Sequence, residues 1–155
     1  MRIMETIHKS SSHVQMQAEE IICRKVEELL NIRFERNNQI YLADNAFTYM
    51  QPDFYSAEHF IVGEIFAHIG KPKKAQDNKI ANDILKMLLL DKVTGKHHRK
   101  IIVVCDTSEK KKLEGKSVLA ESIRQFNIEI MYVEIDAETQ KEIIAAQELQ
   151  KMTNI

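Results

Sequence analysis

The 155 residues predict an α/β fold with α+β character, in which antiparallel strands come first and a β-α-β-α stretch follows. Three observations carry this. Residues 32–69 hold β-type stretches punctuated by turn residues. Lys100–Cys105 and Ile128–Ile135 are rich in residues suited to strands buried within a sheet. Helical apolar stripes precede, separate and follow them. The resulting order, α-β-β-β-α-β-α-β-α, implies a mixed central sheet flanked by helices on both faces.

Each element has a local reason. Residues 13–30 form a helix behind the candidate caps Ser10–Ser12, with Ala18, Ile22, Val26, Leu29 and Leu30 on one stripe and Asn31 as a stop. Ile32, Phe34, Ile40 and Leu42 alternate with polar residues about the Asn37-Asn38 turn signal. Phe47, Tyr49, Phe54 and Tyr55 are β-type, and Pro52 marks a strand edge or bulge because it has no N–H to donate. His59–Ile69 is the clearest strand, ending at Gly70, so residues 32–69 read as a three-stranded antiparallel meander. Residues 75–93 form a helix with Ile80, Ile84, Met87, Leu88 and Leu90 inward and Gly95 as its stop. After strand 100–105, Leu113–Phe126 is a helix with Val118, Leu119 and Ile123 inward. Strand 128–135 and helix 137–152 close the chain.

Composition excludes several classes. Only four glycines and two prolines are present, so the chain is not low-complexity, and a Gly-rich phosphate cradle has no residues to build it. There is no P-loop, no HExxH and no GxSxG. Cys23 and Cys105 have neither disulfide-framework nor zinc spacing and read as reduced, partly buried thiols. No apolar run approaches a membrane span, so a soluble, cytoplasmic, single-domain protein (1–155) without a membrane partner is expected. The net charge of −1 hides an excess of basic residues in 71–112 between acidic flanks. That basic middle suits a polyanion such as nucleic acid, and it equally suits solvated helix faces and loops. Lys71-Pro72-Lys73-Lys74 and His97-His98-Arg99-Lys100 bracket the second helix, as phosphate contacts or as solubilising loops.

The chemistry concentrates at Pro52-Asp53 and Gly63-Glu64-Ile65. Strand alternation puts Phe60, Val62, Glu64, Phe66 and His68 on one face, so Glu64 is a carboxylate among bulky apolar neighbours. A buried charge of this kind costs several kcal/mol unless it is paired or metal-bound. Asp53 ends the preceding strand, and a tight connection at residues 56–58 lets the two carboxylates meet across an antiparallel pair. Two oxygen donors so placed suit a hard cation such as Mg²⁺ or Mn²⁺. The competing reading is a turn Asp and a Glu paired with a lysine.

This pattern resembles the PD-(D/E)xK motif of the restriction-endonuclease-like nuclease superfamily, and the α-β-β-β-α-β order over most of residues 13–135 resembles that superfamily's core. The chain would then be a restriction-endonuclease-like αβββαβ core with an extra C-terminal β-α. The resemblance implies Mg²⁺-dependent hydrolysis of nucleic-acid phosphodiesters, with Asp53 and Glu64 on the metal. The family's lysine two residues after the (D/E) is absent, since Phe66 stands there. Some members carry it on the following helix, which points to Lys79, with Gln76 and Asp83 along the same side. His68 is the other candidate for that role. Many members of the family also place a metal-site Glu on their first helix. Glu19 is the position that matches, lying at 100° per residue within the arc of Ala18, Ile22, Val26 and Leu30. Each of these has a structural alternative: a surface lysine, a helix-start Gln, a strand-end His, a flank Glu in an ion pair. The implied partner is nucleic acid, DNA ahead of RNA, with a homodimer or larger complex supplying recognition. The alternative is an inactive nuclease-fold module that binds nucleic acid or a protein.

Overall fold

The structure is a computed structural model that describes the backbone of residues 2–153 and the side chains of 12–152. Among the described residues the elements are α1 (Arg2–Leu30), β1 (Ile40–Tyr41), β2 (Tyr49–Met50), β3 (Phe54–Ser56), β4 (Ile61–Phe66), α2 (Lys74–Thr94), β5 (Arg99–Val104), α3 (Thr107–Leu113), α4 (Val118–Gln125), β6 (Ile128–Tyr132) and α5 (Ala137–Thr153). The main sheet has the order β3-β4-β5-β6. Its first pair is antiparallel and the other two are parallel, so it is mixed, as expected. No helix among the described residues is long and apolar enough to cross a membrane.

Period-2 alternation along β4 divides the core between the two faces of the sheet. Ile61 and Ile65 join Ile101, Val103 and Ile143 in the cluster that also holds Ala18, Ile22 and Val26 of α1. Val62 and Phe66 join Ile102 and Val104 in the cluster that holds Ile80, Ile84, Met87 and Leu90 of α2 and Ile123 of α4. Gly63 lies opposite Phe54 in the β3–β4 register, and a Cβ there would come within 1.9 Å of the Phe54 ring. The missing side chain is what admits that fully buried ring, which also meets Phe34 at a centroid distance of 4.8 Å.

Several local expectations need correction, among them Val118, expected inward and exposed in the structure. The helix α1 begins at Arg2, not after Ser10–Ser12, because residues 2–12 hold no Gly or Pro to stop it, and Leu29 is exposed. The meander is broken: β1 and β2 pair as a separate small sheet, and the 32–36 segment joins the main sheet's backbone pairing by a single Glu35–Tyr55 bridge among the described residues. The strand expected from His59 starts at Ile61, because Phe60 takes a left-handed conformation (φ 53°) in the turn. The strand expected over 128–135 ends at Tyr132. The single helix expected over 113–126 is two. Asp106 caps α3 by accepting from the Ser108 N–H, the chain breaks at Gly115, and Ser117 caps α4 by accepting from the Ala120 N–H.

Candidate active site

Pro52 cannot donate to a ladder, and β3 begins only after Asp53. The Asp53 carboxylate takes over the next pairing position, with Oδ2 accepting from the Ile65 N–H at 2.7 Å. Extending the Phe54–Gly63 register by one residue places Asp53 opposite Glu64. The two carboxyls are close enough to interact, and Asp53 favours the protonated form of Glu64. Burial is the largest reason that the Glu64 carboxyl is pushed up to about 10, followed by the negative charges of Asp53 and Asp83, with Lys86 opposing.

Two helices complete the cluster. Glu19 on α1 is pushed up to about 7, mainly by burial and then by Asp53, while Lys79 and a hydrogen bond from Gln15 pull it down. Asp83 on α2 is raised by burial, with Lys79 and Lys86 opposing and Asp53 adding to the rise. Lys79, Asp83 and Lys86 fall at i, i+4 and i+7, one stripe of α2 facing the acids. Of the expected residues, Asp53 therefore acts on Glu64 and Glu19, and Lys79 acts on Glu19. Asp83 joins them as a fourth carboxylate with a larger part than its sequence position suggested. Lys86 and Gln15 were not foreseen; the 79/83/86 spacing was the available signal for Lys86, and none marked Gln15.

A cleft of about 350 Å³ opens on Glu19 and Asp53 but not on Glu64, Asp83 or Lys79, and Ile65, His13, Gln17 and Arg36 also line it. Arg36 forks onto two carboxylates of α1, Glu20 at 2.9 and 3.1 Å and Glu27 at 2.9 Å through each terminal nitrogen. Such bidentate pairs fix geometry as well as charge, and here they hold the 34–36 segment against the helix that carries Glu19. Cys23 also lines the cleft, with its thiol pushed up to about 12, chiefly by burial. It is no nucleophile at neutral pH.

Gln76 and His68 line a second cleft, at the C-terminal end of β4. Gln76 Oε1 accepts from the Lys73 N–H at 3.0 Å and so organises the start of α2. His68 stacks on Phe66 at 5.6 Å, and its Nδ1 is buried without a hydrogen-bond partner. Phe66 itself belongs to the core. The 97–100 cluster is largely committed internally. His98 Nδ1 and N–H both meet Asp91 Oδ1, Lys100 pairs with Asp91 Oδ2, and Arg99 forks onto Glu129.

Among the described residues no group of three or more His, Cys, Asp or Glu side chains is already arranged to hold a metal ion. The donor chemistry nevertheless fits Mg²⁺, which takes one or two protein carboxylates and keeps water in its remaining positions. Carboxylates that crowd until one must keep a proton are a set that a divalent cation would relieve. No protein-family model, curated protein or solved structure matches the chain.

Proposed function

We propose that the chain is a Mg²⁺- or Mn²⁺-dependent nuclease hydrolysing nucleic-acid phosphodiester bonds, of the restriction-endonuclease-like type. The observation that carries the reading is the Asp53–Glu64 carboxyl pair, joined across β3 and β4 and met by Glu19 from α1 and Lys79 from α2. Asp53 and Glu64 would hold the cation, with Glu19 as a third oxygen donor. When bound, the cation would polarise a phosphate oxygen and lower the pKa of a water nucleophile. Lys79 acts on both Glu19 and Asp83, so it would supply the positive charge that position 66 lacks. The Asp53 carboxylate is anchored through Oδ2 to the Ile65 N–H, which fixes its orientation beside Glu64.

The test is cleavage of plasmid and single-stranded substrates with Mg²⁺ and Mn²⁺, comparing the parent with Asp53→Asn and Glu64→Gln. Metal-dependent cleavage by the parent, lost in both variants, is expected. Cleavage that persists in both would remove the site from the reaction. One observation favours the second reading, an inactive module that binds nucleic acid or a protein. Phe66 fills the lysine's position with a core side chain, 8% exposed. No cleavage by the parent, with cleavage appearing only in Phe66→Lys, would decide for that reading.

A further inference from the structure

The second cleft, about 460 Å³, lies between the β4–α2 connection and α5. Its floor is pinned from two elements. Gln147 of α5 accepts from the Ile69 N–H and donates to the Ile69 carbonyl, both at 3.0 Å. Asp106 Oδ2, ahead of α3, accepts from the Gly70 N–H at 2.8 Å, and Gly70 supplies the left-handed turn (φ 107°) that this path requires. The connection so held presents Lys71 and Lys73 to the cleft, and α5 presents Lys151 from the other wall. Glu148 is the one carboxylate in the lining, 3.4 Å from Lys151. The two lysine sources act at one point: Lys73 and Lys151 both push His68 down, after burial and against Asp106. Three cations from two elements around a pre-formed concavity are more than a solvated lysine run produces.

The cleft and the carboxylate site also share a strand. Both are built on the end of β4, one through Ile65 and the other through His68 and Ile69. Lys73 precedes Lys79 by six residues at the start of α2, roughly 9 Å along the helix axis.

We infer that this cleft is a phosphate-binding subsite, in which Lys71, Lys73 and Lys151 hold a phosphate group of a nucleic-acid strand apart from the bond at Asp53 and Glu64. The inference rests on the nuclease reading for the identity of the ligand. The phosphate has two sources, a strand's 5′ terminus or an internal diester, and both present the same anionic oxygens to the lysines.

The test is made in EDTA, so that binding is separated from cleavage. A labelled single-stranded oligonucleotide, with and without a 5′-phosphate, is titrated into the parent, the Lys73→Ala/Lys151→Ala double variant and Glu64→Gln, at several salt concentrations. Each lysine contact removed should lower the slope of log K against log salt by about 0.7 for a single strand, so the double variant should lose about 1.4. Inorganic phosphate should compete with the parent's binding and raise the pKa of His68, followed by its ring NMR signals, and should do neither in the double variant. A preference for the phosphorylated oligonucleotide assigns the terminal phosphate, and equal binding assigns the internal one. An unchanged salt slope in the double variant, or a His68 signal indifferent to phosphate, overturns the subsite. If the cleft behaves as expected and the parent cleaves nothing, the nuclease reading alone falls. If the parent cleaves and the double variant binds like it, the subsite alone falls.

Discussion

Replacing Gly63 by Ala tests the packing that sets the carboxylate pair. The new Cβ would lie 1.9 Å from Phe54 Cζ and 2.2 and 2.4 Å from its two Cε atoms. Ordinary contact begins near 3.4 Å, so the ring must retreat by about 1.5 Å. It has nowhere to go, being fully buried and 4.8 Å from the Phe34 ring. Overpacking of this kind costs about 1–3 kcal/mol, and expelling the ring would approach the ~3–5 kcal/mol of losing a buried Phe. Alanine returns ~0.4–1 kcal/mol through the unfolded chain. The expected net loss is about 2 kcal/mol, or roughly 4–8 °C in Tm at this chain length, read by urea and thermal unfolding. Because Phe54 adjoins Asp53, its displacement should also weaken Mn²⁺ binding. The decisive measurement is the cycle with Phe54→Leu, which removes the atoms that clash. The double variant should be more stable than the sum of the single losses by about 0.5–3 kcal/mol. Additive losses, or a Gly63→Ala variant as stable as the parent, would refute the ring's placement over Gly63 and the register built on it.

Four further outcomes are expected. Lys79→Ala should lower kcat by about 10²-fold, the scale of one transition-state donor, whereas His68→Ala, in the second cleft, should act on KM; the reverse pattern in steady-state kinetics would move the lysine's role to His68. Divalent cation binding must displace the proton that Glu64 holds up to about 10, so Mn²⁺ affinity should rise with pH and calorimetry in buffers of different ionisation enthalpy should detect proton release; pH-independent affinity between pH 6 and 9 would remove Glu64 from the ligands. Glu109 is fully buried with neither carboxyl oxygen hydrogen-bonded, and burial raises its pKa. The unfolded chain therefore releases this proton first, stability falls as pH rises above the ordinary value of 4.5, and Glu109→Gln should gain on the parent from pH 4 to 7 in urea unfolding. Asp91→Asn would leave Lys100, 3% exposed, without its partner carboxylate and should cost about 3–5 kcal/mol at neutral pH. Asp91 is held below its ordinary value by Lys100 and His98 against the effect of burial, so that contribution should be present above pH 3.8 and lost as pH falls through the lower folded value.

The carboxylate pair was legible because one rule sufficed: a charge at an apolar position of a strand needs a partner, and Pro52 marked where the neighbouring strand stopped. The same rule applied to Lys100, at the head of Ile101–Cys105, calls for a buried counter-charge. The His97-His98-Arg99-Lys100 sequence invited a reading by charge density instead, which hid the Asp91 pairing nine residues back at the end of α2. The two-sided burial of β5 and the stripe of α2 followed from periodicity. The breaks did not, because they are decided by contacts too short or too distant for a period to register. Residues 113–126 carry one helix-like stripe, yet Gly115 and the caps Asp106 and Ser117 divide the region. Strands β1 and β2 are two residues each, below any alternation that a window can detect. Phe60 sits at φ 53° although aromatic residues disfavour that region. Its ring meets His98 edge-on at 5.9 Å and Lys96 lies over it at 5.2 Å, tertiary contacts that hold the turn between β3 and β4. The clefts divide in the same way. The first is set by strand register and was legible, whereas the second depends on Gln147 and Lys151, nearly eighty residues from the loop they face. The sequence presents Lys71-Pro72-Lys73-Lys74 only as a charge run. It is the distant α5 wall that turns that run into a site with a shape.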